Sequence, residues 1–150
     1  MNVPLALLAR TLLASIFLIS GARKLMGFGM VAEMMAGKGF PMASVFLMAT
    51  IALEIVGGVM LIANWNARYA AFALTAFTLA AGAIFHGFWH AAPSAFINEF
   101  NHFLKNVAIV GGLLLGTLLT LYVVPTAYML LARTHRPAER HPATQPVPAE

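Results

Sequence analysis

Arg10 and Glu54 are charged residues set inside otherwise apolar stretches of this sequence. Charge in such a setting is costly, so it faces the interior of a helical bundle and has either a partner or a task. The Arg10 guanidinium could hold a carbonyl or an anionic headgroup, and Glu54 could accept a proton. With span centres near Leu12 and Leu53, Arg10 lies about 3 Å and Glu54 about 1.5 Å toward the same side, at 1.5 Å of rise per residue. The spacing predicts that the two meet at one depth, either as an ion pair that fixes helix register or as the polar wall of a cavity.

A second group gathers where the first span ends, the third ends and the fourth begins: Arg23, Lys24, His86, His90, Asn101, His102, Lys105 and Asn106. Histidine moves protons near neutral pH, and lysine and asparagine can hold an anionic or carbonyl oxygen. The plainer reading of Lys24 and Lys105 is snorkelling toward the interface. His86 and His90 have the i,i+4 spacing of two metal ligands, yet no acidic residue falls between them and the chain from Phe88 to Pro93 is leaving the helix. No metal site is expected there.

The elements that must position these residues are helices in a bilayer. Of 150 residues, 61% are hydrophobic and 9% are charged, too few charges to coat a water-facing surface. Four apolar stretches, Val3 to Gly21, Ala43 to Ala63, Ala67 to Phe88 and Val107 to Ala132, are each near the roughly 20 residues that cross a hydrocarbon core. Helices are required, because an open strand in lipid leaves its backbone groups unpaired. The expected fold is all-α, an integral membrane four-helix bundle occupying residues 1–132.

The first stretch also has a small-x-small pattern at Ser20 and Ala22 that suits a cleaved signal peptide. No basic segment precedes it and Arg10 sits within it, so it reads as a retained first span. Between the first two spans, Gly27, Gly29, Gly37, Gly39 and Pro41 surround Met30, Val31, Met34 and Met35, which are spaced as a short interfacial helix. Its methionines are expected to pack on the bundle or on headgroups. Asn64 to Asn66 is a connection so short that spans two and three must form a hairpin. Gly87 to His102 reads as a longer polar and aromatic connection, and residues 133–150, with Pro137, Pro142, Pro146 and Pro148, as a disordered tail.

Gly57 and Gly58 in the second span, and Gly112 and Gly116 in the fourth, have the small-residue pattern of close helix contact. Cysteine is absent, which excludes disulfides, thiolate metal sites and iron–sulfur clusters. The net charge of +4 reflects tail residues and groups flanking the spans, so lipid and not nucleic acid is the expected partner. With both termini on one side, that side holds Arg68, Arg133, Arg136 and Arg140 against Arg23, Lys24, Lys38 and Lys105 on the other. The positive-inside rule returns a tie, and the termini are taken as cytoplasmic.

In order, Arg10, Gly21-Ala-Arg-Lys24-Leu, Gly39-Phe-Pro41, Glu54-Ile-Val-Gly57-Gly58, Phe85-His86 and Asn101-His-Phe-Leu-Lys105-Asn106 resemble the DoxX family of small four-helix membrane proteins, over roughly residues 5 to 115. The resemblance implies a multi-pass protein of the bacterial inner membrane. It implies polar intramembrane or boundary positions at Arg10, Lys24, Glu54, His86, Lys105 and Asn106. Some relatives are linked to quinone-dependent thiosulfate oxidation or to membrane redox complexes with soluble partners. The function expected from it is a membrane subunit or anchor of a redox system, at most a quinone-linked oxidoreductase subunit, with a soluble oxidoreductase partner. The rival readings are a non-catalytic scaffold for a soluble protein and a small-molecule permease acting as a homo-oligomer. From Gly111-Gly-Leu-Leu-Leu-Gly-Thr117 through Pro125-Thr-Ala-Tyr128 the sequence is similar to the last transmembrane helix of resistance-nodulation-division efflux permeases. A fusion there would lengthen the last helix without conferring transport, since the rest of such a pump is missing from the sequence.

Overall fold

A computed structural model describes residues 3–118 together with Thr126 and Met129. The described chain is all-α: α1 spans Val3–Met26, α2 Phe28–Gly37, α3 Ala43–Ala63, α4 Ala67–Phe85 and α5 Pro93–Leu118, with a short 3-10 turn at Phe88–His90 before α5. The disordered tail expected over 133–150, the end of the fourth span and most of the efflux-like stretch lie outside the described residues.

α3 has the expected bounds. It and the stretch Ala67–His90 are each long and apolar enough to cross a membrane, while α1 from Leu7 and α2 meet that test only together, as a pair bent by 93°. Large apolar side chains stay exposed around the bundle, among them Leu12, Ile19, Val45, Val59, Phe72 and Leu115. Lipid is the solvent that tolerates such a surface.

α1 lies antiparallel along α3, α3 on α4 and α4 on α5, and α5 closes back on α1. The α3–α4 hairpin turns within Asn64–Asn66, whose asparagines take left-handed backbone conformations (φ 55° and 47°) that this residue type tolerates better than most. Gly39 supplies another positive φ, 86°, where the chain leaves α2. α2 is the short helix expected between the first two spans. Met35 on it is buried with Ala43, Leu47 and Ile51, so this methionine packs on the bundle, whereas Met30 and Met34 stay exposed.

Two elements depart from the sequence expectation. α1 does not end at Gly21 but continues through Arg23 and Lys24 to Met26. Its last turn can stay helical at depth because Lys24 finds a carboxylate partner there. The polar stretch read as a long connection is the first half of α5, which starts at Pro93 and not near Val107. Proline suits a first helical position, and Phe96, Phe100 and Phe103 fall on one face at helical spacing while Glu99, His102 and Asn106 fall on another.

The packing is in two parts. One cluster joins Ala14, Phe17, Leu61, Ala70, Ala71, Leu74 and Leu113 from four helices, and the other joins α2 to the start of α3. Glu54 and the polar groups around it lie along the cavity on the α2 side of the bundle.

Candidate functional site

Lys24 and Glu54 form the centre of the site. α1 and α3 approach closely where Gly21 faces Ile55 and Glu54, which brings the last turn of α1 against the middle of α3. The Lys24 ammonium donates to Glu54 Oε1 at 2.6 Å and Oε2 at 2.7 Å, and to Ser20 Oγ at 2.9 Å. Ser20 in turn donates to Glu54 Oε1 at 3.0 Å. All three ammonium donors are thereby used, and the Glu54 carboxylate, only 2% exposed, keeps acceptor capacity toward the cavity. Phe77 of α4 presents its ring 5.6 Å from the Lys24 nitrogen, which adds cation–π attraction.

A second polar pair stands at the end of α4. His86 Nδ1 and Glu99 Oε2 are 2.9 Å apart, and the His86 ring is stacked on His102 at 4.6 Å between centroids. His86, Glu99 and Asn106 line the same cavity as Ser20, Lys24 and Glu54. The cavity has a volume of about 600 Å³, and its remaining walls are mainly apolar, with Phe17, Met34, Leu47, Phe85 and Ile109 among them. Thr50 and Thr78 also face it, but each hydroxyl donates to a carbonyl of its own helix, which leaves only lone pairs for a ligand.

The six expected site residues divide. Lys24, Glu54, His86 and Asn106 line one cavity. Lys105 is exposed and does not line it. Arg10 does not meet Glu54, which corrects the expected pair: Arg10 lines a different, smaller cavity with Arg68 and Thr117. The error came from the length of α1. Placing its centre at Leu12 ignored the final turn, and the contacts of Gly21 with Glu54 and of Gly58 with Leu18 set Arg10 near the level of Trp65. His90 lies in the 3-10 turn beyond α4, so it does not share a helical face with His86. Among the described residues no group of three or more His, Asp or Glu is placed to hold a metal ion.

Ser20 and Glu99 belong to the site and were not singled out from the sequence. The signal for Ser20 is its i,i+4 relation to Lys24 on one helical face. For Glu99 it is the i, i+3, i+7 series with His102 and Asn106, which becomes visible once α5 is read as a helix.

The sequence model of the DoxX family matches residues 5–87, more than half of the chain. The chain belongs to the DoxX family. The matched stretch takes in Arg10, Lys24, Glu54 and His86 and stops before Glu99, Lys105 and Asn106. Inner membrane protein YphA of Escherichia coli (strain K12) is 31% identical over 111 residues, which is 74% of this chain and 79% of that protein. No solved structure matches. This DoxX protein is accordingly an all-α protein of the bacterial inner membrane, and its polar cavity lies within and just beyond the family-matched segment.

Proposed function

We propose that this DoxX protein is the membrane subunit of a redox system and that the Lys24–Glu54 cavity receives the head of a lipid-soluble quinone. The observation that carries this reading is one cavity holding a hydrogen-bonded Lys–Ser–Glu centre, with Glu54 buried, inside apolar, partly aromatic walls. Its volume lies within the roughly 300–1,000 Å³ of small-molecule sites, and predominantly apolar walls with a few convergent polar groups suit an amphipathic ring. The donor set fits as well, since ammonium and carboxamide N–H groups are donors to carbonyl oxygen.

When bound, a quinone supplies two-electron, two-proton carbonyl chemistry. Lys24 orients a carbonyl oxygen by turning one N–H from Ser20 toward it. Glu54, once it shares Lys24, is the nearest carboxylate to hold a proton at that oxygen. Phe77 and the apolar wall keep water from the pair. His86 and Glu99 stand along the same cavity as a second proton-holding pair. Electrons are exchanged with a soluble oxidoreductase partner docked on the bundle, and a homo-oligomer is compatible with the exposed helix faces.

The test is gentle extraction of tagged protein from its native membrane, with bound quinone and co-purifying proteins measured by mass spectrometry in one sample. Near-stoichiometric quinone is expected, and Glu54→Gln or Lys24→Met is expected to lower it about tenfold, equivalent to roughly 1.4 kcal/mol of binding. Lipid alone, with no quinone and no oxidoreductase, would sink the redox reading. Solute flux into proteoliposomes that needs Lys24 and Glu54 would favour a permease instead.

Asn106 offers a finer check. A Cβ added at Gly82 would lie 3.0 Å from Asn106 Nδ2, so Gly82→Ala pushes the carboxamide from its place in the cavity wall. Quinone retention should fall about threefold to tenfold, as expected when one positioned donor is lost. Gly111→Ala, where a Cβ meets nothing within 4 Å, should leave retention unchanged.

A further inference from the structure

Arg10 and Arg68 come together at the end of the bundle away from α2. Both line a cavity of about 50 Å³ with Thr117, and among the described residues no Asp or Glu lines it. Among the described residues Arg10, half-buried, has no hydrogen bond or ion pair, and Arg68 gives one bond to the Tyr69 hydroxyl at 3.0 Å while lying 4.6 Å from its ring. Two guanidinium groups that line one cavity with no carboxylate among the described residues keep most of their donors free. An anion would satisfy those donors and balance the charge.

Depth indicates which anion. The α1–α3 register sets Arg10 near the level of Trp65, in the turn between α3 and α4. Trp65 and Tyr69 are exposed there, as aromatic side chains are at the boundary between hydrocarbon and headgroups. Phosphate diesters are the densest anions at that level. Guanidinium binds phosphate through paired N–H donors, and a cavity of this size accepts phosphoryl oxygens but not an acyl chain.

We infer that Arg10 and Arg68 form a binding site for the phosphate of an anionic phospholipid headgroup. The inference is independent of the quinone reading, because it uses another cavity and another end of the bundle.

The full-length chain in detergent, titrated with phosphatidylglycerol, phosphatidylcholine or inorganic phosphate and read by native mass spectrometry, tests it. Phosphatidylglycerol should be retained about tenfold better than phosphatidylcholine. Arg10→Gln with Arg68→Gln should abolish that preference, and the charge-keeping Arg10→Lys with Arg68→Lys should fall between, because lysine lacks the paired donors. Arg23→Gln, which removes an exposed charge at the opposite end, should retain the preference. Should the double Gln variant not fold, the Lys variant still decides: retention equal to the parent would make the effect one of general charge and overturn the site. Equal retention of both lipids overturns it too. Protection by inorganic phosphate alone, as strong as by phosphatidylglycerol, would show a free-anion site and overturn the lipid assignment. Quinone retention should not change in the Arg10 and Arg68 variants, so failure of one reading is separable from failure of the other.

Discussion

Lys24→Met lowers the stability of the folded chain by about 3–5 kcal/mol, and adding Glu54→Leu restores much of the loss. Glu54 is 2% exposed, and Lys24 supplies two of its three hydrogen bonds. Without the ammonium, Ser20 alone faces a carboxylate in a low-dielectric interior, and the desolvation of that charge is no longer offset. Removing both charges removes the penalty together with the attraction. Glu54→Leu alone should cost less than Lys24→Met, because the Lys24 side chain is 26% exposed and can turn its ammonium outward. Unfolding of the four proteins in mixed micelles gives the coupling energy of the cycle. Arg10→Met is expected to add to Glu54→Leu within about 0.5 kcal/mol, as separated sites do. A large Arg10–Glu54 coupling with none for Lys24 would contradict the observed register.

That cycle also marks where sequence reasoning stopped. Glu54 was identifiable from one physical fact, a carboxylate inside an apolar run. Its partner was not, since choosing between Arg10 and Lys24 requires knowing how far α1 continues. Apolarity ends near Gly21, but the helix is set by backbone hydrogen bonds and by the Glu54 partner that lets Lys24 remain inside, and it continues to Met26. The same confusion of polarity with irregular structure hid the first half of α5. Asn98, Glu99, Asn101 and His102 look like a loop when counted and like a helix face when spaced. α3 and the α3–α4 hairpin were legible because length, composition and the short Asn64–Asn66 turn agreed.

The glycines divide in a similar way. Gly57 and Gly58 do mark close contacts, with a Cβ at Gly58 only 2.9 Å from Leu18 Cδ2 and one at Gly57 3.1 Å from Leu74. In the GxxxG of α5, Gly112 approaches Leu13 but a Cβ at Gly116 would meet nothing within 4 Å. Spacing alone does not say whether a small residue touches a neighbouring helix or lines a cavity, as Gly116 does.

Gly21→Ala is therefore expected to cost about 1–3 kcal/mol, the range for overpacking a close contact. Its Cβ would lie 2.9 Å from Ile55 Cγ1 and 3.5 Å from Glu54 Cβ. Ile55 is branched at Cβ, so Cγ1 has few rotamers to move to, and the strain passes to the helix backbones. Gly58→Ala should cost less, because Leu18 is unbranched at Cβ and can swing its Cγ and Cδ2, 3.0 and 2.9 Å from the new Cβ, aside about χ1. Gly111→Ala should stabilise by about 0.5–1 kcal/mol, having no neighbour to displace and less chain entropy to lose. Chemical unfolding of the three variants orders them. A shift of α1 away from α3 at Gly21 also lengthens the contacts of Ser20 and Lys24 with Glu54, which lie on the adjoining turns. The Lys24–Glu54 coupling energy measured in the Gly21→Ala background should then be smaller than in the parent. An unchanged coupling would mean that side-chain flexibility, and not the helix approach fixed by Gly21, holds the pair together.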